Sequence, residues 1–207
     1  EQERDNSEKQ HRVIVEGFQI MKTPVTFAQY EIYCKQTGTK VPDDSDWGRG
    51  GRPVVNVSYW EAVDFCEWLT NKSGKIHRLP TEAEWEYACR AGSNTAYSYG
   101  DIADNNKMYY LKCSTVTVAK FPSNSNGLYD MHGNVWEWCA STWDEDYKGK
   151  ELLDTSSERG NNERRILRGG AYYCIGSRCR SASRLYLGPE EQFKFAGFRI
   201  VRKSNSS

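Results

Sequence analysis

The stretch Arg78-Leu-Pro-Thr-Glu-Ala-Glu-Trp-Glu-Tyr-Ala-Cys-Arg90 decides how the chain is read. Thr81 and Glu84 stand at capping-box spacing, in which the hydroxyl accepts from the N3 amide and the Glu side chain reaches back to the cap. Pro80 lies just ahead, where a missing amide does no harm. The helix so started is expected to turn Ala83, Tyr87 and Ala88 inward and to end at Ala91-Gly92. The same device recurs at Thr26 with Gln29 and at Ser58 with Glu61. The first of these helices should run to about Gln36, where Thr37-Gly38 supplies a left-handed stop. The second sets Val63, Cys66 and Leu69 opposite Glu61, Asp64 and Glu67, and ends before Ser73-Gly74.

Outward from these helices the chain reads as strands and loops. Val13-Ile-Val15 and Phe18-Gln-Ile20 suggest an N-terminal strand or hairpin, and Phe198-Arg-Ile-Val201 a C-terminal strand beside it. From Asn134 to Cys139, Trp136 and Trp138 share one face if the segment is extended. Residues 100–127 and 143–165 hold no period and read as long loops. A length of 207 residues fits one domain. Its 27 aromatic side chains (7 Trp, 13 Tyr, 7 Phe) point to a core filled by rings. The 28 basic residues are balanced by 28 acidic ones with no basic stripe, so no nucleic-acid partner is expected. No apolar run is long enough to span a bilayer. Residues 1–12 are polar and read as a flexible arm, and 203–207 as a tail. Seven cysteines are many for a cytosolic protein of this size and favour export; the odd number leaves one thiol over unless it bonds another chain.

Together with Gly127-Leu-Tyr-Asp-Met-His-Gly-Asn-Val-Trp-Glu-Trp138, Arg168-Gly-Gly-Ala-Tyr172 and Gly197-Phe-Arg199, the opening stretch resembles the formylglycine-generating-enzyme and sulfatase-modifying-factor family. The landmarks fall in order between about Val13 and Arg202. The resemblance implies an α+β domain over residues 13–202 with that family's C-type-lectin-like fold: small twisted antiparallel sheets, packed helices and long loops. The family's enzymes use two nearby cysteines that bind copper and, with oxygen, convert a substrate cysteine to formylglycine; soft thiolates suit Cu(I). Cys174, two residues after Tyr172, and Cys179, five further on, match that spacing. Yet Cys179 runs directly into Arg180-Ser-Ala-Ser-Arg184, which resembles a family segment whose cysteine is structural and pairs with the one ending the third helix, here Cys89. On that alignment the resemblance implies a Cys89–Cys179 disulfide, closing a loop of about ninety residues and stabilising by roughly 4 kcal/mol. The second reactive cysteine is then missing, no copper is expected, and the chain is not an enzyme. A copper-dependent oxidase acting through Cys174 and Cys179 is the alternative.

The resemblance also places Asp130, Gly133, Val135 and Glu137 where the enzymes bind calcium, and carboxylates with turn carbonyls suit a hard cation. The other reading gives Glu137 to loop amides and Asp130 to a turn, with no ion. His132 has no nucleophile or carboxylate at a telling spacing and reads as a surface loop histidine.

Between Tyr172 and Gly197 the residues outside the motifs mix Tyr, Leu, Ile and Arg with Ser and Gly, as recognition loops do. This arrangement resembles the variable proteins of diversity-generating retroelements, among them exported surface lipoproteins of treponemes. There adenine-directed mutagenesis rewrites mostly Asn codons, from which Lys, Gln, Glu, Met and Trp cannot be reached. None of the five occurs at Tyr173, Cys174, Ile175, Gly176, Ser177, Arg178, Ser183, Leu185, Tyr186 or Leu187. These ten form the expected ligand-binding surface, with Tyr173, Ile175, Arg178 and Tyr186 exposed and Phe193 and Phe195 as loop anchors. The expected partner is a protein or other surface ligand of a host or neighbouring cell. The expected location is the cell surface, with a lipid anchor upstream of residue 1.

Overall fold

The structure, a computed structural model, describes residues 5–157, 159–160 and 162–203; residues 204–207 of the expected tail lie outside them. Three helices, α1 (Phe27–Thr37), α2 (Tyr59–Ser73) and α3 (Glu82–Arg90), each begin at a complete capping box on Thr26, Ser58 and Thr81. Each stops on a left-handed residue: Gly38, Gly74 and Ala91. Local chemistry therefore sets both ends of every helix. Ser58→Ala is expected to cost about 1 kcal/mol in urea unfolding, because the Glu61 amide loses the hydroxyl that caps it.

The strands are β1 (Phe18–Ile20), β2 (His77–Arg78), β3 (Trp136–Thr142), β4 (Arg165–Arg168), β5 (Arg184–Leu187), β6 (Ala196–Gly197) and β7 (Val201–Lys203). One antiparallel sheet has the order β1-β7-β2, and a second has the order β5-β4-β3-β6. The β3–β6 pair is parallel, so the second sheet is mixed rather than wholly antiparallel. Val13–Val15 forms no strand, and Ile14 is 79% exposed. The C-terminal strand begins later than its apolar pattern suggests. Phe198 and Ile200 still accept from the amides of Val25 and Met21, but Arg199 turns inward between them.

β3 is the structural axis and is buried along its whole length. Trp136, Trp138 and Ala140 face the larger core, while Cys139 faces a smaller one with Trp85, Ala88, Leu128, Met131 and Ile166. That is the two-residue period of a strand buried on both faces. The larger core is a lattice of rings: Tyr30 stacks on Phe65 at 5.5 Å, and Phe198 meets Phe65 edge-on at 5.5 Å. Such offset and edge contacts satisfy the ring quadrupoles. On α3 the buried positions are Glu82, Glu84, Trp85, Ala88 and Cys89, and Tyr87 is exposed, contrary to its expected inward place. The reversal arises because Glu82 is drawn inside by Arg168 and Arg184, at 2.9 and 2.6 Å.

Residues 5–11 are not a free arm. Ser7 and Glu8 are buried, and the Glu8 carboxylate is held by Arg180.

Candidate functional site

The segment after β4 turns sharply at Gly169-Gly170, both at positive φ. A Cβ on Gly170 would sit 2.5 Å from the Cys179 sulfur, so only glycine lets the following loop fold back this closely. The loop then makes a tight turn in which the Cys174 amide donates to the Ala171 carbonyl at 2.9 Å. A 3-10 turn, Gly176–Cys179, returns the chain beneath it. Cys174 and Cys179 end as neighbouring free thiols; the Cys179 S–H lies 3.9 Å from the Ile175 carbonyl, and the Cys174 sulfur accepts from the Ala171 amide at 3.4 Å.

The neighbouring Cys179 thiol lowers the Cys174 thiol to about 7, against the opposing effect of burial, with help from the Ala171 amide and the Trp136 indole. The Trp136 N–H is buried without a partner at standard hydrogen-bond geometry, which leaves it free to stabilise a thiolate there. The Cys179 thiol is pushed well above its ordinary value, by the same hydrogen bond and by burial. Both sulfurs are enclosed: Cys174 is 6% exposed and Cys179 is 0% exposed.

The disulfide expected between Cys89 and Cys179 is not formed; all seven cysteines are free thiols. Around the Cys89 sulfur lie the Met131 carbonyl, the His132 ring and the Ser181 hydroxyl, at 3.6–3.9 Å. Burial pushes the Cys89 thiol up to about 12, the value of an inert core cysteine. His132, expected at the surface, is buried. Its Nδ1 is 2.8 Å from the Cys179 carbonyl, and its Nε2 accepts from the Ser98 amide at 3.1 Å. Burial lowers it to about 4, so it is a neutral structural ring.

The ten residues expected to form one ligand surface divide into two sets. Tyr173, Ile175 and Arg178 are exposed, the first two at 46% and 58%, and Gly176 and Ser177 are half-buried between them. Tyr173 packs on Phe195 at 5.3 Å, and Phe195 stacks on Phe193 at 4.8 Å. Trp47 meets Tyr172 at 5.1 Å and carries the Lys194 ammonium over its ring at 5.8 Å. Tyr172 also meets Tyr173 at 5.5 Å, so these contacts form one chain of rings from Trp47 to Phe193. Trp47, which sequence reasoning missed, carries no local signal, since only the fold brings it to Tyr172.

The second set lies apart, on β5. Ser183 is fully buried, and Leu185 and Leu187 pack half-buried on the larger core. They pair with Leu167 and Arg165, whereas Tyr186 pairs with Ile166 and so points to the other side of the sheet. There it packs on Trp143 at 4.5 Å and under the Arg164 guanidinium. No single ligand face contains all ten.

Asp130, Gly133, Val135 and Glu137 lie along the turn that leads into β3. Both Glu137 oxygens are already bound: Arg199 donates at 2.6 and 2.7 Å, and the Trp85 indole at 2.7 Å. Asp130 accepts from the Ala119 amide at 2.7 Å, and burial raises it above the ordinary carboxylate value. Among the described residues no three His, Cys, Asp or Glu side chains gather at one point. The Glu137 charge is thus already compensated by Arg199 and Trp85.

Residues 1–204 match the model of the sulfatase-modifying factor enzyme 1-like domain. The mouse (Mus musculus) formylglycine-generating enzyme is 34% identical over 180 residues, covering 77% of this chain and 46% of that protein. The Chlamydia pneumoniae serine/threonine-protein kinase pkn1 is 31% identical over 218 aligned residues, covering 94% of this chain and 34% of the kinase. The chain thus spans less than half the length of either relative. Among solved structures, PvdO from Pseudomonas aeruginosa superposes with a TM-score of 0.77 at 30% identity, over 90% of this chain and 80% of PvdO. The Treponema denticola variable protein 1 gives 0.76 at 24% identity over 90% and 84%, a likeness of fold alone. No described helix is long and apolar enough to cross a membrane. By the extent of these matches, the chain belongs to the sulfatase-modifying factor enzyme 1-like domain family.

Proposed function

We propose that this domain recognises a surface molecule of a host or neighbouring cell through the face around Tyr173, Ile175 and Arg178, and that it works outside the cell. The carrying observation is the contrast within seven residues of chain. Tyr173 and Ile175 project into solvent while the sulfurs of Cys174 and Cys179 between and behind them are sealed. Exposed aromatic and aliphatic groups beside a cation are what a contact patch needs. The fold shared with the treponemal variable protein supports the reading.

Two experiments test it. The double variant Tyr173→Ser/Ile175→Ser should keep its stability within about 0.5 kcal/mol, since both side chains are exposed. Against an array of purified cell-surface proteins, spots bound by the unaltered chain should lose binding to the variant; undiminished binding would place the contact elsewhere. Sequencing the locus should find a near-copy of the 3′ coding segment differing at adenines, beside a reverse-transcriptase gene. Absence of both would remove the diversified-surface part of the proposal.

A second reading has its own support, because Cys174 and Cys179 are adjacent free thiols and one is acidified. They are the residues that would hold Cu(I), a metal that supplies oxygen-dependent oxidation of a substrate cysteine in the family's enzymes. The formylglycine-generating relatives favour this reading as much as the fold favours the first.

A further inference from the structure

Residues 5–8 lie on a pair of arginines that belongs to the other end of the chain. Arg180 grips the Glu8 carboxylate through two nitrogens, at 2.6 and 2.9 Å, and both side chains are almost wholly buried. Arg184 donates to the Ser7 backbone carbonyl at 2.9 Å while its other nitrogens hold Glu82. One arginine thus reads a side-chain carboxylate and the next reads the peptide bond before it. A bidentate guanidinium–carboxylate pair has a fixed geometry that selects its partner. The bound segment is shaped for the purpose by a turn in which the Glu8 amide donates to the Asp5 carbonyl at 3.0 Å.

Beyond this anchor the segment is loosely seated. A cavity of about 370 Å³ opens under residues 8–15, lined also by Glu86, Tyr87, Arg90 and Glu151. One Glu151 carboxylate oxygen there is buried without a partner. Lys9 and His11 pair with Asp146 and Glu151 at the rim, and Ile14 stands in solvent. Polar anchors, rather than apolar burial, hold this part of the chain down. The cradle also touches the 3-10 turn, since Arg180 Nε donates to the Ser177 carbonyl at 2.8 Å.

We propose that Arg180 and Arg184 form a binding site for an acidic peptide, and that residues 5–8 are a displaceable resident occupant. The site recognises a Glu or Asp carboxylate together with the peptide carbonyl preceding it. The tethered segment competes at high effective concentration, so an outside peptide binds appreciably only when the tether is weakened. This does not draw on the Tyr173–Ile175 face, and its failure would leave that reading standing.

The test uses the full chain and a fluorescent peptide of sequence Asp-Asn-Ser-Glu-Lys-Gln, copied from residues 5–10. Glu8→Ala should bind it at least roughly tenfold more tightly than the unaltered chain, because the resident competitor is gone. The peptide with Gln in place of its Glu should not bind, and adding Arg180→Ala to Glu8→Ala should abolish binding. A folded Glu8→Ala chain that binds no better than the unaltered one overturns the proposal. Should Glu8→Ala fail to fold, Glu8→Gln decides: it keeps the side-chain shape but weakens the tether, so it should bind the peptide more tightly than the unaltered chain, and equal binding refutes displacement.

Discussion

Replacing Arg199 with alanine is expected to lower the unfolding free energy by about 3–5 kcal/mol, the range for removing one partner of a buried ion pair. Arg199 and Glu137 are both fully buried and joined through both carboxylate oxygens. Arg199 also donates to the carbonyls of Met21 and Tyr129, at 3.3 and 3.0 Å. It therefore ties β3 to the chain after β1 and to the loop that precedes the His132 turn. Without it, Glu137 keeps only the Trp85 indole, and a carboxylate so placed must either stay charged with one donor or take up a proton. Substituting both residues by leucine should cost less than Arg199→Ala, since no charge is stranded; the remaining loss, about 1–3 kcal/mol, comes from the unpaired Trp85 N–H. Urea unfolding measures both, as a shift in midpoint at constant slope. A shift worth under about 1 kcal/mol for Arg199→Ala would show that the pair contributes little.

Acid is expected to remove roughly 3 kcal/mol of stability between pH 6.5 and 4 through His132 alone. Burial depresses this imidazole to about 4, so in that window the unfolded chain takes up a proton that the folded chain refuses. Its contribution is complete above the ordinary histidine value and declines as pH falls toward 4. Glu86 is lowered in the fold, against the opposing effect of its own burial, chiefly by Arg168 and then Arg90. It loses stability in the same direction, but only below the ordinary carboxylate value. His11 works the other way: its value is raised by the Lys9 carbonyl and Glu151 against partial desolvation, and it is far more exposed. His132→Gln should therefore flatten the stability profile between pH 6 and 4.5, measured by urea unfolding at each pH. An unaltered slope in that variant would assign the acid sensitivity to other groups.

What could be read from the sequence was what short-range chemistry fixes. Thr26, Ser58 and Thr81 announce their helices because a cap and its N3 partner are only three residues apart. The shared face of Trp136 and Trp138 followed from strand period alone. These differences have one physical origin, which is polar groups satisfied at long range. The α3 sequence alone points Tyr87 inward, because Arg168 and Arg184 beside Glu82 are invisible from it. The polarity of the first residues suits water and so suggests a flexible arm, while nothing local signals that Arg180 binds Glu8. His132 looked like a surface residue for the same reason, its partners being the Cys179 carbonyl and Ser98.

The candidate site was legible only by halves. Tyr173, Ile175 and Arg178 are exposed, with Cys174 buried between them, whereas β5 imposes alternation on residues 184–187 and sends Tyr186 away from Leu185 and Leu187. The family's pairing rule put Cys179 with Cys89. The fold instead sets His132 and Ser181 against the Cys89 sulfur and brings Cys174 to Cys179.

Anaerobic titration of the reduced chain with Cu(I), followed by oxygen and a cysteine-bearing peptide, separates a recognition surface from a redox centre more directly than any binding assay. With Cys174 and Cys179 both buried, mass spectrometry should find the peptide cysteine unconverted. One Cu(I) held by both thiolates, with formylglycine appearing in the peptide over repeated turnovers, would contradict this and make Cys174 and Cys179 the working centre of the domain.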